Sequence, residues 1–329
     1  MSFSNGLELC FPNLLNSSCE RAARSQSVAI LTDITLSGIG LLTLVLNLLV
    51  IISISHFRQL HTPTNILLLS LAISDFFVGF LFFFQIMIIG GCWLLSDLVC
   101  SLYCLLEYVI TSSSIGIMVL ISVDRYVAIC DPLHYSVRVT EKRVKVCVCL
   151  CWGCAVVYDS LLLKDNLIHP GRYKSCHGEC VLVYDSTSGV VDMIMSFICP
   201  ITIIVVLYVR VFIVAASQAR AMHLFTAAVH VQCSLNVKAK KSGLKAAKTL
   251  GIVVVVFLIC LFPYFCIVLT GQDSVLNITS AAFFNCLFYF NSCLNPIIYA
   301  YFYPWFRKSI KLIFTLQILK PGSCNLNIG

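Results

Sequence analysis

The sequence predicts an all-α membrane protein, a bundle of seven transmembrane helices followed by a short amphipathic eighth, and three observations lead there. Hydrophobic residues make up 59% of the 329 and charged residues only 11%, which is more apolar surface than one soluble core can enclose. Seven apolar runs reach the roughly 20 residues that a hydrocarbon layer demands of a helix. They lie at 29–55, 64–90, 99–130, 143–163, 188–216, 246–270 and 277–302. Of the 22 basic residues, 17 fall on one side if the N-terminus lies outside, the bias that cytoplasmic loops carry. The net charge of +7 is then a membrane asymmetry and calls for no nucleic acid.

Taken in order, residues 1–28 are a polar extracellular segment, 29–303 the seven-helix domain and 304–329 an amphipathic helix with a cytoplasmic tail, in a multi-pass plasma-membrane protein. The first 28 residues have no basic start, apolar core and cleavage site, so the first span serves as the targeting signal. Asn16-Ser17-Ser18 and Asn277-Ile278-Thr279 are glycosylation sequons on the predicted outer face. Six of the 19 cysteines (Cys10, Cys19, Cys92, Cys100, Cys176 and Cys180) lie outside, where disulfides persist, and fifteen pairings are open to six thiols. Cys176 and His177 beside Cys180 make a weak metal motif without a second pair. A loop pinned to the third span accounts for them better, and no metal or cofactor is expected.

The third run, Cys100 to Asp131, organises the rest. Glu107 and Arg125 are 18 residues apart, about 27 Å at 1.5 Å per residue, so they sit at opposite edges of the bilayer on one helix. Charges inside apolar spans are costly and mark function: Glu107 reads as part of a ligand site, Arg125 as part of a switch. Acids gather toward the outer side, Glu8, Glu20, Asp97, Asp165 and Glu179 among them, and such a field attracts cations. Asn47 and Asp75 are isolated polar residues in apolar runs and need partners across helix interfaces. Asn291 and Asn295 of the seventh run, where Pro296 frees a carbonyl, are candidates to meet Asp75 through water or sodium, or simply to hold helices together.

Asn47, Asp75, Asp124-Arg125-Tyr126, Trp152, Pro200, Phe257 with Pro263, and Asn295-Pro296-Ile297-Ile298-Tyr299 stand in the order and spacing of rhodopsin-like G-protein-coupled receptors, which the chain resembles. More narrowly, the stretch from Asn291 to Phe306 resembles the fingerprint of the trace amine-associated receptors, as do Ser55–Asn65, Ser122–Leu133 and Lys245–Ile252. The resemblance implies a Cys100–Cys180 bridge and an N-terminal segment stapled to the outer loops, with Cys176 pairing Cys10 or Cys19 and Cys92 a further candidate. It implies an amine ligand held by the helix-three acid, here Glu107 where most members carry aspartate. Asp192, eight residues before Pro200, resembles the second acid of one branch of the family.

Packed helices approach to about 8–10 Å, a gap that a short diamine spans, and two carboxylates in low dielectric resist ionising together, so a dication would relieve them. Asp159 on the fourth span is either a third ligand acid or a residue turned to the outer water. The resemblance also places Tyr264, Phe265 and Tyr289 along the pocket, and ring faces attract ammonium groups.

On the inner side Asp124 holds Arg125 at rest, and the resemblance implies that Tyr208 and Tyr299 close around the arginine in the active form, toward a heterotrimeric G-protein of stimulatory or olfactory type. The family's usual helix-six tryptophan is replaced by Leu261, with Phe257 and Phe262 expected to share its packing. Residues 304–316 pair apolar and basic positions, as an interfacial helix does. Matching halves with interrupted helices, the mark of a transporter, are missing, and His134, His223 and His230 have no nucleophile to serve. A receptor for small amines, chemosensory in role, is the reading; a monoamine neurotransmitter or another small ligand is the alternative.

Overall fold

The computed structural model describes residues 9–14, 16–20, 26–228, 249–263, 278–326 and 328. Among these, five helices are long and apolar enough to cross a membrane. They are α1, Gln26–His56; α2, Pro63–Ile89; α3, Asp97–Cys130; α4, Glu141–Leu162; and α5, which starts at Ser186. Thr249–Pro263 is the described part of α6, Ile278–Phe302 forms α7, and Pro304–Phe314 forms α8.

Helix starts are written into the local sequence. Thr62, Ser96, Thr140 and Asp185 each accept a backbone N–H three residues on, the side-chain cap that frees a helix of an orphan donor. Pro63 and Pro304 follow at first helical positions, where a missing N–H is harmless. Ser188 makes the Asp185 cap with its hydroxyl at 2.6 Å and its amide at 3.1 Å, and this holds the Asp185 carboxyl below the usual carboxylate range. α5 changes register over Met193–Ile198, a π-helical turn between Ser186–Asp192 and Cys199–Ala228. Pro200 has no N–H to give the Ser196 carbonyl, which is where the α-helical pattern lapses.

α1 and α2 pack closely at two glycines. A Cβ on Gly40 would stand 3.0 Å from the Phe82 Cβ, and one on Gly79 would stand 3.2 Å from the Gly40 carbonyl; small residues permit this backbone contact between membrane helices. The interior divides into an inner core around Phe57, Leu68, Ile121, Tyr208, Phe257, Tyr299 and Phe306 and an outer one around Phe82, Trp93, Tyr103 and Tyr289. Leu31, Leu161 and Ile213 on the outside are exposed, the surface that lipid covers. α8 turns Trp305, Phe306 and Ser309 inward and Arg307, Lys308 and Lys311 outward, and Arg307 donates to the last α7 carbonyls, of Ala300 at 3.0 Å and Tyr301 at 2.8 Å. The C-terminal residues fold back beneath α1: Ser323 meets His56 at 2.9 Å and Ile328 is buried.

At the opposite end two disulfides, Cys10–Cys92 and Cys19–Cys176, tie the N-terminal segment to the loops, and a third, Cys100–Cys180, ties the start of α3 to the loop before α5. Backbone bonds reinforce them, from Cys19 to His177 at 2.8 Å, from His177 to Ser17 at 2.7 Å and from Trp93 to Gly178 at 2.7 Å. Gly178 adopts a φ of +106° with the Cys10 Cβ near where its own would be, a place only glycine fits. Cys180→Ser is expected to cost about 2–4 kcal/mol, the usual worth of such a bridge. Flow cytometry on an N-terminal tag should read this as a loss of surface receptor, and wild-type surface density would contradict it.

Candidate ligand site

Glu107 lies on the face of α3 that meets α2 and α7. Tyr289 of α7 donates its hydroxyl to Glu107 Oε1, and Tyr103, one turn earlier on α3, stands beside the same carboxylate while donating to Gln85 Oε1 at 2.7 Å. Aromatic rings wall this corner: Phe82 is 5.1 Å from Tyr289, Phe84 is 5.5 Å from Tyr103 and Trp93 is 5.8 Å from Tyr103. Tyr103, Gln85 and Trp93 escaped the sequence reading, since aromatics and amides in apolar runs carry no mark of which helix face they occupy. Tyr264, Phe265 and Asn277 lie outside the described residues.

Asp159 and Asp192 are brought together on the far side of α3. Asp192 Oδ1 accepts Ser196 at 2.7 Å and Tyr158 at 3.3 Å, and the two carboxylates interact electrostatically. Asp159 does not turn to the outer water: it is fully buried, with Ser112 of α3 donating to its Oδ1 at 3.3 Å. The α3–α4 contact covers it, and an apolar helix gives no moment from which that facing can be read. Other outer acids have local partners. Asp97 pairs with Lys174 at 2.6 Å, Asp165 takes the Tyr173 hydroxyl at 3.1 Å and Glu179 takes Ser175 at 2.8 Å.

Beneath Tyr289 a cavity of about 20 Å³ opens between Asp75, Thr111, Ser114, Phe257, Leu261 and Asn291, room for about one water molecule. Asn295 donates directly to Asp75 at 2.8 Å, with no intermediary between them. Asn47 donates to the carbonyls of Thr43 and Ser292, each at 3.0 Å. Leu261 is buried here beside Phe257, whereas Phe262 is 59% exposed, so Phe257 alone of the two phenylalanines packs where the sequence suggested both. One residue before Pro263, position 262 points away from the bundle.

At the inner end Arg125 donates from Nε at 3.0 Å and Nη2 at 2.5 Å to Asp124 Oδ2. Thr64 of α2 donates to that same oxygen at 2.9 Å and accepts from Arg125 at 2.6 Å, and Tyr135 holds Asp124 Oδ1 at 2.8 Å. Thr64 and Tyr135 complete a clamp that lies across three segments, which is why only folding reveals it. Tyr208 and Tyr299 are buried nearby and Tyr303 half-buried, and the buried hydroxyls of all three have no hydrogen-bond partner among the described residues. Tyr126 packs with Ile129 and Val211 of the adjoining patch.

An acid under a disulfide-pinned mouth and an arginine clamped at the other end of one helix define a class, the seven-helix signalling receptors of the membrane. The model of the 7 transmembrane receptor (rhodopsin family) matches residues 46–299. Trace amine-associated receptor 13c of Danio rerio is 37% identical, with 98% of this chain and 96% of that protein covered. Trace amine-associated receptor 4 of Mus musculus is 37% identical over 96% and 94%, and trace amine-associated receptor 1 of Macaca mulatta 36% over 94% and 95%. The chain belongs to the trace amine-associated receptors within the rhodopsin family of G-protein-coupled receptors. It is therefore a multi-pass membrane receptor rather than an enzyme, with a small-molecule ligand and a G-protein as partners.

Proposed function

We propose that this receptor senses amines with two or more ammonium groups, di- or polyamines, and signals through a stimulatory G-protein to cAMP in a chemosensory, olfactory role. The observation that carries the reading is Glu107: a carboxylate partly buried among aromatic rings, positioned by the Tyr289 hydroxyl, with no ion pair to it among the described residues. An ammonium supplies the missing charge and its three donors, and nearby ring faces add cation–π attraction. Asp192 takes the second ammonium, across α3. The names of the relatives, trace amine-associated receptors, agree with an amine ligand.

In this reading the N-terminus is extracellular. Three disulfides at that end suit an oxidising compartment, Asn16 there is a glycosylation acceptor, and the basic residues gather at the other. Binding at Glu107 is relayed past Tyr289 and the cavity above Asp75 to the Asp124–Arg125 clamp, whose opening with Tyr208, Tyr299, Asn295 and Pro296 exposes Arg125 to the G-protein.

A second reading, a single-ammonium ligand, draws on the hydrogen bonds that Asp192 already accepts from Tyr158 and Ser196. A cAMP reporter in cells challenged with monoamines, diamines, polyamines and neutral odorants separates them. Potency that rises with the number of ammonium groups is expected; equal potency for mono- and diamines supports the second reading, and a response to neutral compounds alone overturns both.

A further inference from the structure

We propose that Asp159 and Asp192, with Ser112 and Tyr158, form one two-carboxylate subsite in which the buried Asp159 carboxylate binds the distal ammonium of the ligand and sets the preference for dications. This rests on Glu107 being the anchor for the first ammonium, and it adds a residue on α4 to the recognition of the second.

Asp159 is 0% exposed, and only one of its oxygens is engaged: Oδ1 accepts Ser112 at 3.3 Å, while the buried Oδ2 has no hydrogen-bond partner among the described residues. A buried carboxylate oxygen without a partner is disfavoured unless something pairs with it. The charge that acts on it is Asp192, which has the same sign. No ion pair among the described residues reaches either acid, so the pair carries an uncompensated negative charge inside the bundle, and a cation removes that conflict.

The donor count selects the kind of cation. Tyr158, Ser196 and Ser112 already supply hydroxyl donors to one oxygen of each acid, so the remaining oxygens want donors and no acceptor, as an alkylammonium provides. Geometry adds a length. Ser112 is five residues after Glu107 on α3, about 7.5 Å deeper and roughly 140° around the helix, so the two ammonium positions lie on opposite flanks of α3 at different depths. An α,ω-diamine long enough to curve around α3 reaches both; a monoamine reaches one.

The test is a dose–response series of α,ω-diamines of increasing chain length and of the matching monoamines, on Asp159→Asn, Asp159→Glu and Glu107→Gln receptors, each normalised to surface density through an N-terminal tag. Asp159→Asn is expected to raise the half-maximal diamine concentration at least tenfold and the monoamine value less than twofold. Asp159→Glu, which keeps the charge on a longer side chain, is expected to retain the diamine response and shift the best chain length by about one methylene. An unchanged diamine response in Asp159→Asn, while Glu107→Gln abolishes it, overturns the subsite and leaves the amine reading standing. Amine responses that survive Glu107→Gln overturn that reading instead. If mono- and diamine responses fall together in Asp159→Asn at equal surface density and recover in Asp159→Glu with no change in chain-length preference, Asp159 holds a small inorganic cation or the helix packing, and the subsite is again overturned.

Discussion

Glu107→Gln is expected to raise the half-maximal amine concentration by on the order of 30- to 4,000-fold. Glutamine keeps the length of the side chain and leaves an oxygen for Tyr289 to donate to, so packing and the hydrogen bond survive and only the charge is lost. An ammonium desolvated in the aromatic corner of Phe82, Trp93 and Tyr103 then has no counter-charge, and truncating one partner of a buried charged pair costs about 2–5 kcal/mol, at 1.4 kcal/mol per decade. Tyr289→Phe removes one hydrogen bond to a charged group, about 1.5–3 kcal/mol, and should fall between wild type and Glu107→Gln. The measurement is a cAMP dose–response at matched surface density. A Glu107→Gln receptor within threefold of wild type would remove the anchor from the mechanism.

Asp124→Asn is expected to raise signalling without ligand, from a low baseline to about half of the maximal response. Arg125 is 7% exposed and Asp124 3%, so the resting clamp buries the guanidinium against one carboxylate, with Thr64 and Tyr135 completing it. Removing one partner of a buried ion pair is worth about 3–5 kcal/mol, and the loss falls on the resting state, where the pair exists. A shift near 3 kcal/mol is more than 100-fold, enough to turn an active population of about 1% into a majority. Thr64→Val and Tyr135→Phe each delete one hydrogen bond to Asp124 and should raise the baseline by less. Basal cAMP equal to wild type at equal receptor number would show that this clamp does not hold the resting state.

Much of this architecture is legible one segment at a time. Length and hydropathy define the spans, because every backbone group in lipid must be satisfied within its own helix. Threonine, serine and aspartate caps mark where helices start, and the distance between Glu107 and Arg125 follows from helical rise alone. Where the side chains of α4 face is another matter. Asp159 looks, in sequence, like an acid near the outer water, yet it is enclosed by α3, and Phe262 looks like a core aromatic, yet it faces outward. In an apolar helix no polar stripe records which side the neighbours occupy.

Read segment by segment, the chain reveals the class of protein, the seven spans, the end that gathers six cysteines, and the presence of one acid and one arginine on a single membrane helix, because these depend on composition and on periodicity within a segment. Folding settles which cysteines join across 80, 82 and 157 residues, that Tyr289 of α7 reaches Glu107 of α3, that Asp159 and Asp192 lie close enough to interact, and that Thr64 and Tyr135 complete the Arg125 clamp. Each of those is a contact between segments far apart in the chain, set by how helices rotate and pack against one another, and that rotation is a property of the assembled bundle.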